Sequence, residues 1–159
     1  MFIRYYLDLA VPFEDVERAL LDEPATWVPG IALDAEAGGQ RLLAEVGFDV
    51  DASRRVDKEV EIEIGEPYLI PTKTMLPIAW RATGAERIFP QLEADIEIAA
   101  LGAGRTQLSI SARYRPPLGP VGRALDKAML HRVAEATVKD FLDRVGEGVA
   151  ARVSHGVAD

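Results

Sequence analysis

The central part of the chain alternates between apolar and polar residues over five successive segments, between residues 42 and 114. A period of two residues places every second side chain on the same face of a β-strand. Consecutive segments of this kind predict an antiparallel sheet with one apolar face and one solvated face. The residues predicted to face the interior include Leu76, Ile78, Trp80, Ile96, Ile98, Leu108 and Ile110.

The polar faces of these segments carry complementary charges. The segments around 57–64 and 91–99 each place three carboxylates outward, and the segment between them in sequence carries Lys73 and Arg81. A basic strand between two acidic strands allows favourable cross-strand pairs. We therefore interpret the carboxylates as a solvated outer face. A calcium or catalytic carboxylate cluster is the alternative, but no EF-hand-like loop accompanies these residues.

The N-terminal part combines a strand with helical signals. The alternation along Phe2–Leu9 predicts a further strand. Pro12 suits the first position of a helix, and apolar residues follow it at helical spacing as far as Leu20. Residues 24–30 predict at most a second short helix. The proline-bounded segment 66–71 predicts a surface loop between two strands.

The C-terminal part contains the longest helical pattern. It is expected to begin near Pro120 and to hold until about Val145, where Gly146 and Gly148 weaken it. No repeat or linker divides the chain, so we expect one domain over residues 1–150. The remaining residues 151–159 are expected to form a short tail that contributes little to stability.

Composition excludes several classes of function. The chain has no cysteine and only two histidines, His131 and His155, which excludes a thiolate nucleophile, an iron–sulfur cluster and a His-rich metal centre. Its net charge of −8 disfavours nucleic acids and anionic membranes as partners. No apolar run approaches the ~20 residues of a membrane span, and Met1–Ala10 lacks the pattern of a signal peptide. We expect a cytoplasmic protein without a cofactor or a metal.

The order of elements resembles a known superfamily. Supporting segments are Pro12–Val16 at the first helix, Trp27–Gly30 after it, and Tyr114–Gly119 before the long helix. Together they resemble the START-related lipid-transfer and polyketide cyclase/dehydrase proteins, the SRPBCC superfamily. The resemblance implies an α+β helix-grip fold, in which a curved antiparallel sheet grips one long C-terminal helix and two short helices follow the first strand. It also implies a deep apolar cavity, but no catalytic signature that can be transferred.

Four residues are candidates for a ligand site: Trp27, Trp80, Tyr114 and His131. Trp80 and Tyr114 fall on inward positions of their strands, where indole N–H and phenol O–H groups need partners. Trp27 lies in the segment expected at a cavity mouth. His131 shares the helical face of Val138, which favours an interior position. A second apolar row lies roughly opposite, and if that row faces the sheet, His131 points to water. That row consists of Leu125, Met129, Val133 and Ala136.

The favoured function is binding of a hydrophobic small molecule, lipid or polyketide-like, between the sheet and the long helix. One alternative is a polyketide cyclase or dehydratase that uses His131 or a tyrosine as its acid or base. Another is an interaction module, with the second apolar row as the contact surface for a partner or a homodimer. The sequence assigns no catalytic residue, and a function without catalysis is favoured.

Overall fold

The computed structural model describes residues 1–22, 27, 32–34, 41–83, 91–115 and 126–156. The predicted second short helix, residues 24–30, lies outside these ranges apart from Trp27. The elements in chain order are β1 (Phe2–Leu9), α1 (Phe13–Asp22), β2 (Ala32–Asp34), β3 (Arg41–Asp51), β4 (Arg54–Ile64), β5 (Tyr68–Ile70), β6 (Lys73–Ala82), β7 (Gln91–Ala100), β8 (Thr106–Arg115) and α2 (Lys127–Gly156).

The described strands form one antiparallel sheet in the order β1-β8-β7-β6-β4-β3-β2, with β5 also paired to β6. Strands β3 and β4, and strands β6, β7 and β8, pair with their neighbours in sequence, as hairpins do. The N-terminal strand β1 returns to the sheet beside β8. The predicted α+β class and the antiparallel sheet are therefore confirmed.

The predicted register is confirmed by burial. All seven residues predicted to face the interior are at most 3% exposed. Helix α2 covers this face and contacts β1, β3 and β8. Its inward stripe is formed by Val138, Phe141, Leu142, Val145 and Val149. Burial of both surfaces removes apolar area from water, which is the main force that holds a helix on a sheet.

The outer face carries the predicted cross-strand ion pairs. Lys73 Nζ lies 3.0 Å from Glu97 on β7. On the other side of β6, Arg81 lies 2.9 Å from Glu63 and 3.6 Å from Glu61. The basic strand β6 thus separates the two carboxylate rows, as the sequence predicts.

Segment 66–71 is not the plain loop that was expected, because Tyr68–Ile70 forms β5 and pairs with Lys73–Met75. Strand β4 pairs with β6 only up to Ile78, so the break between β4 and β5 falls beside Pro77. Proline has no N–H to donate, so the ladder is interrupted where no donor is available. The Gly65 N–H donates to the Pro77 carbonyl, 2.8 Å away, and keeps the chain beside β6.

Helix α2 ends later than predicted, and the predicted start near Pro120 lies outside the described residues. Asp126 caps its first turn, since its Oδ1 accepts from the Ala128 N–H at 3.3 Å. The helix continues past Gly146 and Gly148 to Gly156, so the predicted end near Val145 is wrong. A Cβ at Gly148 would lie 3.3 Å from the Trp27 backbone. Close packing thus outweighs the helix cost of glycine, about 1 kcal/mol.

Residues 151–156 are helical and contact the rest of the domain. Val153 packs against the core, and Arg152 lies 3.4 Å from Asp22 of α1. The division into a domain of residues 1–150 and a tail stays a prediction, but these contacts point to a structural role for the last helical turn.

Truncation tests that role. Deleting residues 153–159 is expected to lower the Tm by about 2–5 °C, because half-buried apolar surface at Val153 is lost. A chain that ends at Gly156 keeps the Val153 contacts and is the matched control. Thermal unfolding followed by circular dichroism measures both. An unchanged Tm in the longer deletion would contradict this role and support the expectation from the sequence that the tail contributes little to stability.

A second experiment tests the sheet register. Replacing Ile96, which is fully buried, by Ala is expected to cost about 2–5 kcal/mol of unfolding free energy, because it leaves a cavity. Glu93 on the same strand faces outward, and its replacement by Ala should change stability by about 0.5 kcal/mol or less. Urea denaturation measures both variants, and equal losses would contradict the register.

Candidate functional site

A row of large side chains crosses the inner face of the sheet near one end. Trp80, Leu92 and Tyr114 are register partners on β6, β7 and β8, and each is at most 3% exposed. The Trp80 ring meets Phe141 of α2 edge to face, with centroids 5.0 Å apart and an interplanar angle of 61°. We call these four residues, three aromatic side chains together with Leu92, the aromatic row. It brings the candidates Trp80 and Tyr114 to the same end of the interior.

This end of the sheet lies beside the start of α2. Met1, which precedes β1, lies beside Tyr114 of β8, since the Tyr114 N–H donates to the Met1 carbonyl at 2.8 Å. The Met1 sulfur in turn lies 2.7 Å from His131 Nδ1. Strand pairing and the first turns of α2 therefore place His131 at the same end as Tyr114.

His131 lies at the surface of this end. Its side chain is 41% exposed, and its Nε2 is 3.1 Å from Glu135 one helical turn later. The inward face of α2 is formed here by Leu130, Ala134 and Val138. Met129, from the second apolar row, is 55% exposed. That row does not face the sheet at Met129, and His131 lies at the boundary between the inner and outer sides of the helix.

Trp27 belongs to a different part of the interior. It is buried, and its Nε1 donates to the Leu20 carbonyl at the end of α1, 2.8 Å away. Its backbone lies against Gly148 of α2. Gly148 and Phe141 are separated by about 10 Å along the helix at 1.5 Å per residue. Trp27 thus joins α1 to α2 and is not brought together with the aromatic row.

Two polar groups of the aromatic row are desolvated. Within the described ranges, Trp80 Nε1 is buried and has no hydrogen-bond partner. Burial also raises the pKa of Tyr114, because the phenolate would lose its hydration. Sequence reasoning identified both residues as inward. The missing partner of Trp80 has no sequence signal, because it depends on what surrounds the ring in three dimensions.

Two polar contacts flank the apolar interior and fix α2 on the sheet. Arg55 of β4 makes two hydrogen bonds to Asp140, of 2.8 and 2.7 Å. Hydrogen bonding to Asp140 raises the pKa of Arg55, which therefore stays charged. On the other side, the Tyr5 hydroxyl of β1 donates to Asp143 at 3.0 Å. The helix is held on the sheet from both sides, which fixes Phe141 against the Trp80 ring.

A cleft on the outer face of the sheet is chemically different. It has a volume of about 520 Å³ and lies where β4 gives way to β5, beside Pro77. Its walls combine the carboxylates of Glu63, Glu93 and Asp95 and the guanidinium of Arg113 with apolar side chains such as Phe2. The charged groups suit a wholly apolar molecule poorly, so we take the inner face of the sheet as the candidate site.

Comparison of the structure with solved structures places the fold. Similar folds include the Zhui aromatase/cyclase from Streptomyces sp. R1128, with a TM-score of 0.59, 17% identity, and coverage of 99% of this chain and 95% of that chain. A START superfamily protein from Mycobacterium smegmatis gives a TM-score of 0.53, 15% identity and 97% coverage of both chains. A norcoclaurine synthase point mutant from Thalictrum flavum gives 0.54, 12% identity, and coverage of 99% and 96%.

The likeness extends over nearly the whole of each chain. The chain has the helix-grip fold. This confirms the resemblance to the START-like, or SRPBCC, superfamily at the level of the fold. No protein-family model and no curated protein matches the sequence.

The described parts of the chain contain neither a grouping of metal-ligating side chains nor a membrane-spanning helix. Across residues 1–22, 41–83, 91–115 and 126–156, no three His, Asp or Glu side chains are grouped in a way that could hold a metal ion. The described helices include none with the length and apolar character of a membrane span. The aromatic row consists of hydrocarbon surface with two polar groups, the Trp80 indole N–H and the Tyr114 phenol.

The desolvation of Tyr114 predicts a dependence of stability on pH. Its folded-state pKa lies above the unfolded value, so the unfolded chain releases the phenol proton first. This contribution to stability is complete below about pH 10 and is lost as the pH rises further. Tyr114→Phe should therefore lose less unfolding free energy between pH 9 and pH 11 than the parent protein.

The exposed Tyr68 provides the control for this measurement. Tyr68→Phe should follow the parent protein, because the Tyr68 side chain is mostly exposed and its removal changes no buried group. Chemical denaturation at a series of pH values gives the three curves. Parallel curves for all three proteins would contradict a desolvated Tyr114.

Proposed function

We propose that this helix-grip protein binds a hydrophobic small molecule, of lipid or polyketide-like class, between the sheet and α2. One observation carries the proposal: α2 contacts β1, β3 and β8, whereas the middle strand β6 meets it through the Trp80 ring. A curved sheet that touches a helix through its outer strands leaves the middle strands farther from it. We propose this middle part of the interior as the place where an apolar ligand binds.

The lining supports the binding of an apolar molecule. The proposed site residues are Trp80 and Tyr114, with Leu92 and Phe141 completing the aromatic row. His131 lies at the surface of the same end, and we propose it only as a group at the entrance. Burial of apolar ligand surface at about 25 cal/mol per Å² makes micromolar affinity, near −8 kcal/mol, reachable.

A cyclase-type enzyme is the second candidate, and the likeness to an aromatase/cyclase favours it. Here Tyr114 would serve as the acid, since its desolvated phenol stays protonated at neutral pH. Mass spectrometry of a bound substrate over time separates the two functions. A ligand recovered unchanged favours a carrier, and a lost water molecule or a new ring favours the enzyme.

Short-range quenching by a brominated fatty acid tests the binding site. The chain has two tryptophans, so Trp27→Phe leaves only Trp80 as the emitter and Trp80→Phe leaves only Trp27. Because bromine quenches close to van der Waals contact, the Trp80 emission should fall in a saturable way while the Trp27 emission hardly changes. The unbrominated acid should compete. No saturable quenching, or equal quenching in both variants, would contradict the proposed site.

A further inference from the structure

We infer that the ligand of this site carries an uncharged acceptor oxygen, a carbonyl or ether, that accepts a hydrogen bond from Trp80 Nε1. The inference rests on the proposed function and narrows its ligand class. It is carried by one polar atom, which stands in the interior beside the apolar stripe of α2.

Several other buried polar groups of the described interior have partners. Trp27 is buried as deeply as Trp80, and its Nε1 donates to the Leu20 carbonyl. The buried hydroxyl of Thr74 donates to Glu17, and that of Thr106 donates to the Val11 carbonyl. Trp80 Nε1, by contrast, is a fully buried donor that has no partner among the described residues. Buried donors in native proteins rarely lack an acceptor, and we infer that a bound molecule supplies the one for Trp80 Nε1.

The position of the indole indicates what can reach it. The Trp80 ring packs edge to face on Phe141, so the indole lies on the side of the sheet that faces α2. An indole N–H only donates, so its partner must accept. A hydrocarbon ligand would leave the N–H unpaired, and a charged head would lose its hydration among apolar side chains. A neutral ketone, ester or ether oxygen satisfies the N–H and is cheap to bury.

Matched ligands test the inference. A long-chain ketone and the alkane of equal length differ only in the acceptor oxygen. One buried hydrogen bond should favour the ketone by about fivefold to tenfold, beyond the difference in water solubility. The ratio of the two affinities should therefore fall by that factor in Trp80→Phe, which removes the donor. Trp27→Phe, whose lost N–H is bonded to Leu20, should keep the parent ratio.

A spectroscopic readout on the unmodified sequence avoids dependence on the folding of a variant. In a ¹⁵N-labelled sample, the Trp80 indole proton should move downfield when the ketone binds and hardly move when the alkane binds. The Trp27 indole proton, already bonded, should stay in place with either ligand.

The outcomes separate the inference from the proposed function. If neither ligand binds, both the proposed function and the inference fail. If both bind but the Trp80 indole proton does not shift with the ketone, or Trp80→Phe leaves the affinity ratio unchanged, the inference is overturned and the proposed function stands. A ketone-specific shift together with a lower ratio in Trp80→Phe supports both.

Discussion

The structure depends on the burial of one sheet face by one helix. The sheet is apolar on its inner side, and among the described elements α2 is the one long enough to cover it. Its apolar stripe from Val138 to Val149 supplies the covering surface, while Arg55–Asp140 and Tyr5–Asp143 hold its flanks. Hydrophobic burial supplies most of the stabilisation, and the polar contacts fix the position of the helix. The proposed site lies in the middle of the sheet, beneath this cover, which contacts the outer strands.

The sheet could be predicted because a strand has a simple period. A shift of one residue would expose the side chains of Ile96 and Ile98 to water. Alternation therefore fixes both the buried face of each strand and the pairing register of the sheet. Helix bounds follow weaker rules. Gly146 and Gly148 indicate an end by propensity, yet at Gly148 the missing Cβ lets the helix approach Trp27 closely. The strand β5 is not predicted because its three residues pair only after the break at Pro77: the proline marks the interruption, but no local pattern shows that the chain pairs again beyond it.

The site was predictable in part for the same reason. Strand period identified Trp80 and Tyr114 as inward, and their register partner Leu92 lies between them. The helical wheel could not decide His131, because two apolar rows compete for the sheet and the true inward face includes Leu130 and Ala134. Trp27 was grouped with the site by its place in the chain, whereas its contacts are with Leu20 and Gly148. Spatial grouping needs the tertiary packing, which periodicity does not contain.

Trp80 shows how binding and stability compete within such an interior. An unpaired buried N–H costs about 1–3 kcal/mol, which a phenylalanine at the same position would avoid. Packing on Phe141 explains an aromatic ring there but not the choice of one that carries a donor. This desolvation cost disappears when a ligand oxygen accepts a hydrogen bond from the indole. The unpaired N–H therefore destabilises the free protein and contributes to ligand affinity. A ligand without an acceptor gains only the free energy of hydrophobic burial. The difference in affinity between ligands with and without an acceptor oxygen then comes from one atom, Trp80 Nε1, because the surrounding apolar side chains do not distinguish them.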